Sequence, residues 1–293
     1  MSPAEKPKST PPPDPEAFGF VQSLAAELSA GKLDLPSFPD IAMRVRRVLA
    51  DDNVTPDKVM RVVGSEPALA ARLLHVANSA ALNFSGKPVT DLRTAVARLG
   101  FNMVRSAAIA FAMSQLKKVD ALKGLEQPLD ELWQRSAAVA ATSHVVAHRL
   151  TKLNPDAALL AGLLHGVGQL YILTRVKQHP RLFADRAGYH AIVRDWHSSV
   201  AKAVLENWEM PGDVVAAVSE YEDTAREHKG APDLTDVLTV AHLLVSYRDH
   251  PESMELNMQG VTASRRLQIE QNGYSKLIAE SAAEVRALQQ ALG

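Results

Sequence analysis

Ala161-Gly162-Leu163-Leu164-His165-Gly166-Val167-Gly168-Gln169-Leu170 sets one histidine inside an apolar run. Asn154-Pro155 just upstream reads as a helix start, because Asn caps orphan amides and proline costs nothing in the first turn. Leu160, Leu163, Leu164, Val167 and Tyr171 then recur at helical spacing. Between Ala157 and Leu164 the segment is apolar nearly all round, which predicts a central helix with His165 in its interior. An imidazole placed there is a candidate metal ligand. A hard cation that polarises phosphate also needs carboxylates, and the next residue, Gly166, offers no ligand atom.

Outward from this stretch, apolar spacing follows three and four rather than two, with no strand run and no internal repeat. The expected fold is therefore all-α, a multi-helix bundle. A first helix spans about 18–28 and ends near Gly31. Ser37-Phe38-Pro39-Asp40 looks like a capped start for a face of Ile41, Val45, Val48 and Leu49. Thr55-Pro56 and Ser65-Glu66-Pro67 open two more, the second striped with Leu69, Leu73, Val76 and Ala77. Thr90 caps a helix that Gly100 stops, and another follows over 102–118. Gly124 to Pro128 marks a lobe boundary before a long helix over 129–150. Helices are expected at 189–209, 212–221, 233–248 and 274–292, with a loop over 250–260. This divides the chain into a Pro-rich tail (1–15), an N-terminal helical lobe (16–120), a second helical lobe (121–250), and a loop with a C-terminal helix (251–293).

Composition excludes several classes of function. The chain has 293 residues, 46% hydrophobic and 22% charged, enough to bury a sizeable core. Cysteine is absent, so disulfides and thiolate metal sites are excluded. No apolar run suggests a membrane span and no signal peptide is read in the N-terminus; a cytoplasmic location is expected. The net charge of −1 conceals an asymmetry. Residues 41–118 hold 12 Lys/Arg against 5 Asp/Glu, an excess of 7, and the remainder holds 20 against 28, a deficit of 8. A basic lobe beside an acidic one suggests charged partners or contact between lobes.

Other chemistry finds little support. His144 and His148 lie four apart on one helix face, a spacing able to chelate metal, but no His-Glu-x-x-His pattern surrounds them. His190 and His197, seven apart, have nothing acidic arranged between them. Neither a Gly-x-Ser-x-Gly elbow nor a Gly-rich phosphate loop occurs. Residues 59–82 form a helix, a break and a second helix, which superficially resembles a helix-turn-helix, and Arg61, Arg72, Arg93, Arg98 and Arg105 are candidate phosphate contacts. The plainer reading is a solvated polar face on packed helices.

Several stretches together resemble the HDOD domain, a bacterial signalling domain related to the HD phosphohydrolases. They are Leu35-Pro36-Ser37-Phe38-Pro39, Glu66-Pro67-Ala68-Leu69-Ala70-Ala71-Arg72-Leu73-Leu74, Ala77-Asn78-Ser79-Ala80, and Val89-Thr90-Asp91-Leu92-Arg93-Thr94-Ala95-Val96 with Leu99-Gly100. Gly162-Leu163-Leu164-His165-Gly166-Val167-Gly168 and Glu206-Asn207-Trp208-Glu209-Met210-Pro211 continue the pattern. The resemblance implies an HD-like helical bundle that signals through protein contacts. It also implies that the metal-ligand positions of catalytic relatives fall at Arg135, at His165 with Gly166, and at His242, so that only His165 survives. The expected protein is thus a non-catalytic adaptor without cofactor or metal. Its partner would be a signalling protein, and Arg44, Arg47, Arg72 and Arg93 are candidates for the contact surface. A divergent metal-dependent phosphohydrolase is the alternative, and nucleic-acid binding the third. Arg135 is a candidate to occupy the vacated pocket, paired with a carboxylate. The C-terminal helix, with Leu277, Ile278, Ala282, Val285, Leu288 and Leu292 on one stripe, is expected to pack on its own domain; exposed, it would be a homodimer face.

Overall fold

A computed structural model of the chain describes residues 15–31, 33, 40–51, 53–80, 82–83, 86–176, 178–269 and 273–292. The described residues are all-α, with no strand. In chain order the helices are α1 (Pro15–Ala30), α2 (Asp40–Leu49), α3 (Pro56–Gly64), α4 (Pro67–Ala77), α5 (Leu92–Gln115), α6 (Glu126–Leu150), α7 (Pro155–Leu164), α8 (Val167–Val176), α9 (Pro180–Ala184), α10 (Arg186–Asn207), α11 (Gly212–Glu220), α12 (Leu234–Ser246), α13 (Pro251–Met258), α14 (Thr262–Arg266) and α15 (Gly273–Leu292). The Pro-rich tail and the Ser37 start lie outside the described residues.

Caps explain most boundaries. Thr55 Oγ1 accepts from the Lys58 amide, and Asn154 Oδ1 accepts from the Asp156 amide at 2.9 Å. Asp233 and Asp236 form a reciprocal capping box at α12. Two expected caps were misplaced. Asp91, not Thr90, caps α5, its Oδ1 2.8 Å from the Thr94 amide, since a carboxylate one residue on accepts better than a hydroxyl. Ser65 ends α3 rather than opening α4, whose N-cap is Glu66 without a side-chain bond. Gly100 breaks α5, its φ of 70° lying in the left-handed region, and the helix resumes beyond it. The expected loop over 250–260 instead contains α13, which Pro251 opens.

His165 is not in a helix interior. It is the C-cap of α7, and α8 begins at Val167. Its Nδ1 lies 2.7 Å from the Gly162 carbonyl, one of the acceptors that a helix end leaves orphaned. The α7–α8 segment is the centre of the bundle, as its apolar circumference predicts. Residues Pro155–Val176 are long and apolar enough to cross a membrane by length and composition, yet 89% of the most apolar window is buried inside the protein. Glycines let its neighbours approach closely. A Cβ at Gly162 would lie 2.5 Å from Ala140 Cα on α6, and one at Gly168 would lie 1.9 Å from the His197 carbonyl oxygen on α10. These two crossings fix α6 and α10 on either side of His165.

The two lobes interlock. α1 packs on α9 and α10, where Glu27 accepts from the Tyr171 hydroxyl and lies 3.4 Å from Arg175. Arg46 on α2 donates to the Trp208 carbonyl beyond α10. α15 packs back on α6 and reaches α4, where Arg72 donates to the Ala291 carbonyl at 3.3 Å.

Candidate functional site

Four helices and the α7–α8 break converge on one polar cluster. His165 arrives from the break, Arg135 and Ser136 from α6, His197 from α10, Tyr221 and Glu222 from the end of α11, and His242 and Ser246 from α12. The His165 ring is 5.7 Å from both Tyr221 and His242, edge to face, and Tyr221 and His242 are 4.8 Å apart. Glu222 ties in the third imidazole: His197 Nε2 is 2.9 Å from Glu222 Oε2, and the Tyr221 hydroxyl donates to Glu222 Oε1 at 3.2 Å. Arg135 closes the pocket. The residue is exposed, and its Nη2 donates to Ser246 Oγ at 2.9 Å and reaches to 3.4 Å from His242 Nε2. Arg135 and His242 thus meet beside His165, and the contacts of Arg135 are to a hydroxyl and an imidazole where a carboxylate partner was expected. His197, Tyr221 and Glu222 were missed as members of the site.

Electrostatics keep the pocket short of protons. Burial, opposed by the bond to the Gly162 carbonyl and assisted by Arg135, pushes His165 down to about 4. Burial, His165 and Arg135 push His242 down to about 3. Burial and Glu222 raise the Tyr221 phenol well above its ordinary value, so it stays a neutral donor. The bond from His197 holds the Glu222 carboxyl below its usual range, overcoming its burial. Ser136 Oγ, His197 Nδ1 and His242 Nδ1 are buried without a hydrogen-bond partner.

The position beside His165 is filled. A Cβ on Gly166 would lie 2.9 Å from Leu132 Cδ1 and 3.1 Å from Ser136 Oγ, both on α6. An HD-type metal centre needs a carboxylate at this place and ligands at the other two. Glycine supplies no donor atom there, and Arg135 brings a cation to 3.4 Å from His242 Nε2.

Comparisons with known proteins give the family and the fold. A family model described as the HDOD domain matches residues 35–224. The chain belongs to the HDOD domain family. Among solved structures, a provisionally named metal-dependent phosphohydrolase from Shewanella amazonensis SB2B is 24% identical with a TM-score of 0.77, over 95% of this chain and 99% of that one. An HDOD domain protein of unknown function from Geobacter sulfurreducens is also 24% identical, with a TM-score of 0.65, over 92% of this chain and 96% of that one. A provisionally named signal transduction protein from Marinobacter aquaeolei VT8 is 20% identical, with a TM-score of 0.61, over 94% of this chain and 66% of that one. These likenesses establish the fold. No curated protein matches.

Elsewhere on the HDOD chain the predicted residues are dispersed. Arg44 pairs with Asp40 at 3.6 Å and donates to Ser65, and Arg47 reaches the same Asp40 at 3.9 Å. Arg93 pairs with Asp57 at 2.6 Å. Arg72 is half-buried against α15, and Arg98 donates to Asn83 Oδ1 at 2.8 Å. Arg105 is half-buried, while Arg61 is exposed. His144 lies 3.7 Å from Asp156 and His148 3.9 Å from Glu284, so each imidazole of that pair faces a different element. His190 stacks near Tyr189 and is apart from the His197 pocket contacts.

A second histidine cluster joins the α11–α12 loop to α14. His228 Nε2 is 2.9 Å from Asp236 Oδ2 and 3.6 Å from Asp233 Oδ2. Their ligand atoms lie close enough to hold a metal ion. Both carboxylates are already engaged: Arg266 Nε donates to Asp236 at 3.2 Å, and Arg226 grips Asp233 with two nitrogens at 2.8 and 3.2 Å. Arg266 also donates to the Gly230 carbonyl at 2.6 Å. Two guanidiniums neutralise this cluster and make it an ionic clasp.

Proposed function

We propose that this HDOD protein is a non-catalytic signalling adaptor, working through contact with a partner protein and not through turnover at the His165 pocket. The observation that carries the reading is Arg135. Its guanidinium lies at the mouth of the pocket, bonded to Ser246 and against His242, and it opposes both a metal ion and protonation of His165 and His242. A family module that retains the fold while its pocket holds a fixed protein cation has its function on the surface. Arg47 and Arg93 are exposed, and Arg44 is half-buried beside Arg47 on α2; these are the part of the predicted contact surface that remains in reach of a partner.

The competing reading, a metal-dependent phosphohydrolase, draws on the name of the Shewanella structure and on three imidazoles and Glu222 sharing one pocket. The two readings part on a direct assay. Purified protein is incubated with manganese, magnesium, cobalt or zinc, its metal content is measured after dialysis, and hydrolysis of bis-p-nitrophenyl phosphate is followed. The adaptor reading expects no retained equivalent of metal and no turnover above the His165→Ala variant. Stoichiometric metal with turnover that His165→Ala abolishes would sink it. In cells, a cross-linked partner should survive His165→Gln and be lost in Arg44→Glu/Arg47→Glu.

A further inference from the structure

A cavity of about 220 Å3 opens between α6, α12 and α15. Its walls are Ala138, Val145, Leu244, Leu277, Ile278 and Val285, among others, and its rim carries Arg248 and Arg286. We propose that it binds an amphipathic monoanion, an acyl chain ending in a carboxylate, with the tail inside and the head between the two arginines. The proposal does not rest on the adaptor reading, since it concerns different residues and a different ligand.

Three observations carry it. The first is size. A cavity of about 150 Å3 accommodates benzene, so this one takes about nine non-hydrogen atoms, the tail of a medium-length acyl chain. The second is polarity. Ser281, the buried polar residue in the wall, already donates to the Leu277 carbonyl at 2.6 Å, so the interior asks for an apolar guest. The third is charge. No carboxylate lines the cavity, whereas both rim residues are arginines. Arg286 is exposed, and Arg248 is 62% exposed with only a 3.7 Å approach to the adjoining Asp249. Two guanidinium forks at the mouth of an apolar hole select an anionic head and disfavour a cationic one.

The position of the cavity gives the ligand something to act on. Along α6, Arg135, Ala138, Thr142 and Val145 follow at spacings of three and four, and on α12 His242 and Val245 follow at three, with Arg248 in the turn just beyond the helix end. One stripe on each helix therefore runs from the His165 pocket to the cavity. The third wall, α15, lies beyond the matched 35–224 segment and reaches the N-terminal lobe through Arg72. A guest in the cavity would press on the seam between the two lobes.

The test is isothermal titration of the full chain with sodium octanoate and, in parallel, with octylammonium chloride. Octanoate should bind with one equivalent, and octylammonium about tenfold more weakly or not at all. Arg286→Glu, at an exposed position, should weaken octanoate about tenfold and leave 1-octanol unaffected. Ala282→Phe, which puts a ring into the cavity, should abolish binding of both octanoate and octanol. Equal affinity for the two head groups, octanoate binding unchanged by Arg286→Glu, or no heat at millimolar octanoate would each overturn the proposal. If Ala282→Phe fails to fold, the head-group comparison and Arg286→Glu decide alone.

Discussion

The protein contains two clusters of histidine with acidic residues that behave in opposite ways. Around His228, two aspartates meet two arginines, and each carboxylate is held by at least one guanidinium. Around His165, three imidazoles, a phenol and one glutamate share a pocket in which Ser136 Oγ, His197 Nδ1 and His242 Nδ1 find no partner. The first cluster closes a loop onto α14. The second is a buried polar space that the family fold provides and this sequence leaves incompletely bonded. Ligand-type residues close together therefore do not define a site; what matters is whether other groups have already taken their lone pairs and protons.

The comparison is broken most severely at Asp236. Its side chain is 3% exposed, accepts from Arg266 and lies against His228, and also completes the α12 capping box. Asp236→Ala leaves a largely buried guanidinium unpaired and an orphaned cap, and should cost about 3–5 kcal/mol in chemical denaturation. A loss under about 1 kcal/mol would mean the clasp contributes nothing beyond what water supplies.

The pocket should respond to acid instead. His165 titrates near 6.5 when unfolded and about 4 when folded, so the folded state excludes a proton the unfolded state takes up. The stability this represents is complete above about pH 6.5 and is lost as pH falls toward 4; His242 extends the loss toward 3. Glu222 and Asp233, held below their usual range, begin to add their own loss as pH falls into the free-carboxyl range near 4, where the unfolded state takes up protons, so the interval above about pH 5 belongs to the histidines. Between roughly pH 7.5 and 5, His165→Gln should flatten the fall in urea-unfolding free energy by about 2 kcal/mol. An unchanged slope would place the proton elsewhere.

Gly166 probes whether the pocket can be turned back into a ligand set. In Gly166→Asp the new Cβ meets Leu132 and Ser136, an overpacking that should cost about 1–3 kcal/mol. Because Arg135 persists, the single variant should retain no metal on dialysis, and only the pair Gly166→Asp/Arg135→His should. Metal retained by the single variant would show that the guanidinium is no obstacle.

The helices were legible because their signals are local. Thr55-Pro56, Asn154-Pro155 and the Asp233 cap each act on amides two or three residues away. The break at His165 was legible only in part: Gly166 and Gly168 read as close-packing or helix-ending positions, but the apolar stripe runs on unbroken through Val167 and Tyr171 while the imidazole bonds back to Gly162. α13 was hidden by a polar sequence without a strong apolar period, though Pro251 at its first turn was a usable sign. In the site, Arg135, His165 and His242 came from the family resemblance. His197, Tyr221 and Glu222 did not, since they meet only when α10 folds against α8 and α11 against α7. The Gly168 contact with the His197 carbonyl, which brings α10 in, has no signature beyond a glycine in a helix. The Tyr221-Glu222 dipeptide just past a helix end was the only local hint, and it carries no spacing rule.

The smallest effect should come from the residue with the largest functional meaning. Arg135 is exposed along most of its length, and its bonds to Ser246 and toward His242 are made at the solvent edge. Arg135→Ala should therefore change unfolding free energy by less than about 1 kcal/mol. It should nevertheless raise the titration points of both His165 and His242, because the guanidinium opposes protonation of each. Ring-proton chemical shifts followed against pH would report this directly. If both histidines titrate as before, Arg135 covers the pocket without governing it, and the charge argument for a non-catalytic site reduces to Gly166 alone.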